Sequence, residues 1–205
     1  MSYRFLFPLY LVAFILASGL SVASAQSKQA PVLAHAKSPS PTVTDELVQK
    51  QFGENCSLLA GPPQFVADFD GDGVDDLAVA ARCRNPIADQ AEYDFHVIDP
   101  YNSFLGFGDV KVTSTFASDA PERRGICLLI IHGAGPEAWR SEKPKAKFLM
   151  INLPFKTLAV KKLAVKKKTI LGIYMEERGE AEDTSSVVFW DGKKYRYQVL
   201  GSSLD

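Results

Sequence analysis

Phe65-Val66-Ala67-Asp68-Phe69-Asp70-Gly71-Asp72-Gly73-Val74-Asp75-Asp76-Leu77-Ala78-Val79-Ala80 sets an acidic, glycine-bearing turn between two apolar runs. The runs read as strands and the pattern between them is D-x-D-x-D-G-x-x-D. Alternate residues of a tight loop can turn their carboxylates toward one centre, which suits a hard cation needing six to eight oxygens, calcium above all. Asp68, Asp70 and Asp72 would supply the first three side chains, the Val74 carbonyl a fourth ligand, and Asp76 would close the shell; Asp75 is expected to face solvent. The place where an EF-hand carries its bidentate glutamate holds Val79, inside a strand, so the flanks exclude that motif. Five aspartates within nine residues, with no lysine or arginine among them, would repel one another unless a cation sits between them.

Outward from this hairpin the chain keeps reading as strand. Tyr93–Ile98, Gly125–His132, Ala146–Leu153, Thr169–Glu176, Ser185–Trp190 and Tyr195–Leu200 are bounded by Gly, Pro, Asp and Asn turns. The last two form a hairpin across Asp191-Gly192-Lys193-Lys194, with Val188, Trp190, Tyr195, Tyr197 and Val199 alternating inward. Thr44 caps one short helix, Asp45–Phe52, which Gly53 ends and whose Leu47, Val48, Gln51 and Phe52 share a face. No later segment has a long 3.6-residue apolar period. The expected fold is mainly β (α+β), an antiparallel sheet or sandwich with one short N-terminal helix.

The stretch 65–80 resembles a single FG-GAP or VCBS-type repeat, the strand-loop-strand unit of integrin-like propellers and of many exported bacterial proteins. The resemblance implies calcium at Asp68, Asp70, Asp72 and Asp76 with the Val74 carbonyl. Propellers repeat such a unit every ~40–60 residues to close a ring. The chain holds no second D-x-D-x-D-G, so a complete propeller is not expected.

Three cysteines, Cys56, Cys83 and Cys127, predict one bridge and one leftover thiol in an oxidising compartment. A turn near Gly71-Asp72 pairs residues whose numbers sum to about 143, which puts Cys83 opposite Ala60 and close to Cys56. The spacing therefore predicts Cys56–Cys83, with Cys127 buried as a small hydrophobe.

The chain has 205 residues with 23 basic and 24 acidic side chains, 46% hydrophobic residues and a pI near 6.3. That balance supplies no global drive toward nucleic acid or an anionic membrane. Arg4, the apolar stretch Phe5–Leu20 and Ala23-Ser24-Ala25 read as a signal peptide over 1–25, leaving no stable membrane span after cleavage and placing the protein in the periplasm or outside the cell. Residues 26–43, rich in Pro, Ser and Ala, read as a flexible spacer, and 44–205 as a single β-rich domain.

Weaker signals remain. Leu129–Gly135 carries a strand followed by His132-Gly133, a fragment of a hydrolase oxyanion turn, without a G-x-S-x-G nucleophile. The run from Lys156 to Lys168 has six lysines and no acid and reads as a solvated edge or loop, or as a contact for an anionic envelope polymer. Tyr101, Phe104 and Phe107 lie in a turn-rich loop that can cap the core or stack on sugars. Together these signals lead to an expectation of an exported, calcium-binding, non-enzymatic structural or interaction module. A calcium-dependent carbohydrate or cell-wall binder is the alternative, and an envelope hydrolase using His132 comes third. The partner is then an envelope or extracellular polysaccharide or protein, and no nucleic acid.

Overall fold

The computed structural model describes residues 42–100, 125–153, 155–177 and 184–202, all within one compact unit, 41–205. The expected signal peptide, the expected spacer up to residue 41 and the stretch with Tyr101, Phe104 and Phe107 lie outside the described residues. Val43, at the end of the expected spacer, belongs to the folded body. It is buried, and its backbone N–H and C=O both bond the Gln64 amide.

In chain order the elements are α1 (Asp45–Phe52), β1 (Cys56–Leu58), β2 (Phe65–Ala67), β3 (Asp76–Cys83), α2 (Pro86–Asp89), β4 (His96–Ile98) and β5 (Ile126–His132). A kinked 3₁₀ segment, Gly135–Arg140, follows, then β6 (Ala146–Met150), β7 (Phe155–Val165), β8 (Lys168–Glu177), β9 (Thr184–Trp190) and β10 (Tyr195–Ser202). A six-stranded sheet runs β1-β3-β5-β6-β4, with β2 also paired to β3, and a four-stranded sheet runs β10-β9-β8-β7. The described fold is mainly β and antiparallel, as expected. The exception is β4, which joins β6 in parallel with His96 opposite Phe148.

Leu77–Ala81 of β3 and Ile126–Ile131 of β5 are unbroken apolar runs because both faces of the first sheet are covered. Leu77, Val79, Ile131 and Leu149 face a core shared with Val48 and Phe52 of α1, while Ala78, Ala80, Leu128 and Ile130 face a second core shared with Ile173, Met175 and Val188 of the second sheet. The result is three layers: helix and loops, first sheet, second sheet. Thr44 caps α1 by accepting from the Leu47 N–H, and Gly53 ends it at φ 97°, where a Cβ would meet the Tyr93 ring at 3.0 Å. Lys147, reaching from β6, donates to the Gln51 and Tyr93 carbonyls. Its cation thereby satisfies the helix C-terminus and ties the outer layer to the sheet.

The β2–β3 register places Phe65 on Ala78 and Ala67 on Asp76, the expected sum. Before β2 the chain detours through Gly61, Pro62 and Pro63, so β1 pairs four residues out of that register and sets Cys56 directly opposite Cys83. The Cys56–Cys83 bridge is present, and Cys127 is a buried free thiol. The lysine run is resolved as an element: β7 is an eleven-residue edge strand whose Leu158 packs inward while lysines face water, a composition that discourages edge pairing.

Candidate metal centre at the aspartate loop

The loop between β2 and β3 is wound around its own carboxylates. Asp68 Oδ1 accepts from the Gly71 and Asp72 N–H groups at 2.7 and 3.1 Å, and Oδ2 accepts from Gly73 at 2.9 Å. Asp70 Oδ1 takes the Asp72 N–H and Asp72 Oδ1 takes the Val74 N–H, two Asx turns in succession. Gly71 and Gly73 sit at φ 79° and 87°, conformations that glycine adopts without a Cβ penalty. Short polar side chains and two glycines are therefore enough to close this loop locally.

Asp76 anchors the loop to the body. Fully buried at the start of β3, it accepts from Phe69 N–H at 2.7 Å and Asp70 N–H at 3.3 Å through Oδ2, and from Gly133 N–H at 2.8 Å through Oδ1. Burial pushes its carboxyl up to about 6, against the pull of those N–H donors from Gly133 and Phe69; the nearby Asp70 charge adds to the rise. Gly133 is required by contact, since a Cβ there would stand 2.4 Å from the Asp75 carbonyl oxygen. The His132-Gly133 pair thus serves close approach between the end of β5 and the loop.

Asp68, Asp70 and Asp76 each bring a carboxylate oxygen to within 4.8 Å of the others. Two oxygens on opposite sides of one calcium ion are about 5 Å apart, so a single ion can touch all three. The donors are hard carboxylates, which suits calcium better than zinc. Of the expected ligands Asp72 is turned elsewhere: its Oδ2 meets Lys145 Nζ at 2.6 Å. The same ammonium lies 2.7 Å from Asp70 Oδ2. Hydrogen bonding to Lys145 first, and to the Val74 N–H second, holds Asp72 below its ordinary value, while Lys145 is held above the usual lysine range by Asp70 and Asp72. Val74, expected through its carbonyl, is fixed by its N–H, and Asp75 is exposed as expected.

Behind the loop lies a polar chain that sequence reading does not find. His132, 1% exposed, faces Asp70 Oδ2 through Nδ1 at 3.3 Å and meets the Tyr195 hydroxyl through Nε2 at 2.7 Å. Burial lowers the imidazole's proton affinity, against the pull of the Asp70 charge, and burial together with the Asp76 and Asp70 charges raises the Tyr195 hydroxyl well above its usual value. Tyr195 therefore keeps its proton, and its hydroxyl and His132 Nε2 share one hydrogen bond while Nδ1 faces the Asp70 carboxylate. The ring also packs 5.0 Å from Phe148 and from Trp190. A buried imidazole with both nitrogens engaged offers neither to a substrate, so His132 joins loop to second sheet. Its ring contacts come from β6, β9 and β10, from 16 to 63 positions along the chain, and only its place before a glycine hinted at them.

No family model, curated protein or solved structure matches this chain.

Proposed function

We propose that this chain is an exported calcium-binding module with a single FG-GAP or VCBS-type unit at 65–80, serving a structural or interaction role without catalysis. The observation that carries the reading is the convergence of Asp68, Asp70 and Asp76 on a strand-flanked loop. Carboxylates about 5 Å apart repel by roughly 3 kcal/mol per pair at an effective dielectric near 20, and one divalent ion would reverse that term. Export to the periplasm or beyond is supported by the Cys56–Cys83 bridge, since such bridges persist in oxidising compartments.

Bound calcium would draw on the three converging carboxylates and let the loop hold Phe69 in the second core. At a free concentration ten times its dissociation constant it would add ~1.4 kcal/mol. For a body of this size that is about 3–6 °C in melting temperature. The test is a thermal melt of wild type and Asp70→Asn, each in calcium and in chelator. Asp70→Asn keeps an acceptor for the Asp72 N–H but removes a charge, so its calcium shift should shrink to near zero. Identical wild-type melts in calcium and chelator would remove the metal from the account.

A further inference from the structure

Cys56, Cys83 and Cys127 stand on three neighbouring strands, β1, β3 and β5, and all three face the core under α1. Cys56 lies directly opposite Cys83, and Cys127 lies opposite Ala81, a diagonal step from Cys83 on the same face of the sheet. The Cys127 thiol sits 3.4 Å from Cys83 Sγ and 3.5 Å from the Ala81 carbonyl oxygen. A free thiol thus touches one sulfur of the bridge, and all three residues are buried.

We propose that these three cysteines form an internal thiol–disulfide exchange site, in which Cys83 changes partner from Cys56 to Cys127. Cys127 loses its proton and its Sγ bonds Cys83 Sγ as the Cys56–Cys83 bond breaks; Cys56 Sγ leaves with the bonding pair and takes up a proton. One disulfide and one thiol stand on each side of the step, so it needs no outside oxidant or reductant. Closing 3.4 Å to a bond of about 2.0 Å asks for a move of roughly 1.4 Å between adjacent strands. The closed fold holds the reaction back. Burial pushes the Cys127 thiol up to about 12, against the pull of a Cys83 backbone hydrogen bond and of the Arg82 charge, which leaves about one thiolate in ten thousand at pH 8. Opening of α1 and the three-residue β1 wets the core face that holds Cys127 and restores an ordinary thiol. The exchange then moves the covalent tie from the α1 layer into the β3–β5 ladder and frees Cys56 on β1, so that the opening which starts it is no longer reversed by the bridge.

The test is slow alkylation of the full oxidised chain with iodoacetamide under native conditions at pH 7 and pH 8, followed by peptide mapping of the label and of the remaining bridge. The label is expected on Cys56, with a Cys83–Cys127 bridge left behind, although the free thiol of the starting protein is Cys127. Its rate should rise about tenfold between the two pH values, because the attacking species is the thiolate. Cys127→Ser should take no label on Cys56 under the same conditions. Cys56→Ser, folded in an oxidising buffer, should hold the Cys83–Cys127 bridge. Where either variant fails to fold, the wild-type map decides. Label on Cys127 with the Cys56–Cys83 bridge intact, no label after several days, a Cys56–Cys127 bridge, label on Cys56 in Cys127→Ser, or two free thiols in folded Cys56→Ser would overturn the exchange site.

Discussion

Lys145 stands where a cation is needed. It approaches from the turn before β6, 75 and 73 positions beyond its partners Asp70 and Asp72, and its ammonium bridges their carboxylates. The aspartate spacing made the charge problem legible, and the loop's turns and its anchor at Asp76 follow from residues within reach of one another. This partial solution was not legible, because nothing local in the sequence ties a lysine so far along the chain to the loop. A calcium ion on Asp68, Asp70 and Asp76 would compete with that ammonium for Asp70. Lys145→Gln should therefore bind calcium about five- to tenfold more tightly than wild type, since two half-exposed ion pairs are worth roughly 1 kcal/mol together. The calcium-free variant should melt lower, its carboxylates having lost their positive neighbour. Calorimetry of both proteins decides the matter, and unchanged or weaker affinity in the variant would show that Lys145 and the ion do not share a place.

Among the elements, the β9–β10 hairpin was read most completely from sequence. Asp191-Gly192 gave the turn, and Val188, Tyr195 and Tyr197 are buried in alternation; Val199, expected inward, is 42% exposed at the last pair before the register shifts toward Gly201. The lysine-rich β7 was harder to see, because an edge strand buries so little on its outer positions that charge masks the period of two. The three-residue β1 was too short to register as a strand, though the cysteine it carries was paired correctly. Asp191 gives the hairpin a pH signature. Burial acts to raise its carboxyl, but the N–H groups of Lys194 and Lys193 and the Arg196 guanidinium outweigh it and hold the group at about 2. A depressed carboxyl stabilises the fold above its unfolded value near 4, and the contribution is lost as pH falls from about 4 to about 2. The Arg196 side chain is half exposed, so solvent screening limits the effect to about 1 kcal/mol. Asp191→Asn should show a shallower loss of stability across that window in urea titrations at pH 5, 4, 3 and 2. Parallel curves for the two proteins would remove Asp191 from the acid response.

At the scale of the molecule, two cores share one sheet, and they are tied down differently. The core between the sheets is held by long ladders, β7 to β8 and β8 to β9. The core under α1 depends on a short helix, the three-residue β1, the Lys147 contact and the Cys56–Cys83 bridge. That division was hidden from the sequence, because an apolar run such as 127–131 says that both faces are covered without saying by what. The bridge closes a separation of 27 residues that includes the aspartate loop, a loop-entropy contribution of roughly 3–4 kcal/mol. Removing it should loosen the layers unequally. In Cys56→Ala/Cys83→Ala, hydrogen exchange is expected to speed up most at the amides of Val48–Phe52, while those of Ile173–Met175 stay protected to nearly the global limit. Replacing both cysteines also avoids a confounding bridge: Cys127 Sγ lies 3.4 Å from Cys83 Sγ, so the single variant Cys56→Ala would leave two thiols in contact. In the native protein Cys127 is fully buried and its thiol is pushed up to about 12 by that burial, so alkylation at pH 8 should leave it unmodified. If the helix and second-sheet amides of the double variant lose protection equally, the three layers unfold as one cooperative body and the bridge stabilises the whole of it through the unfolded chain.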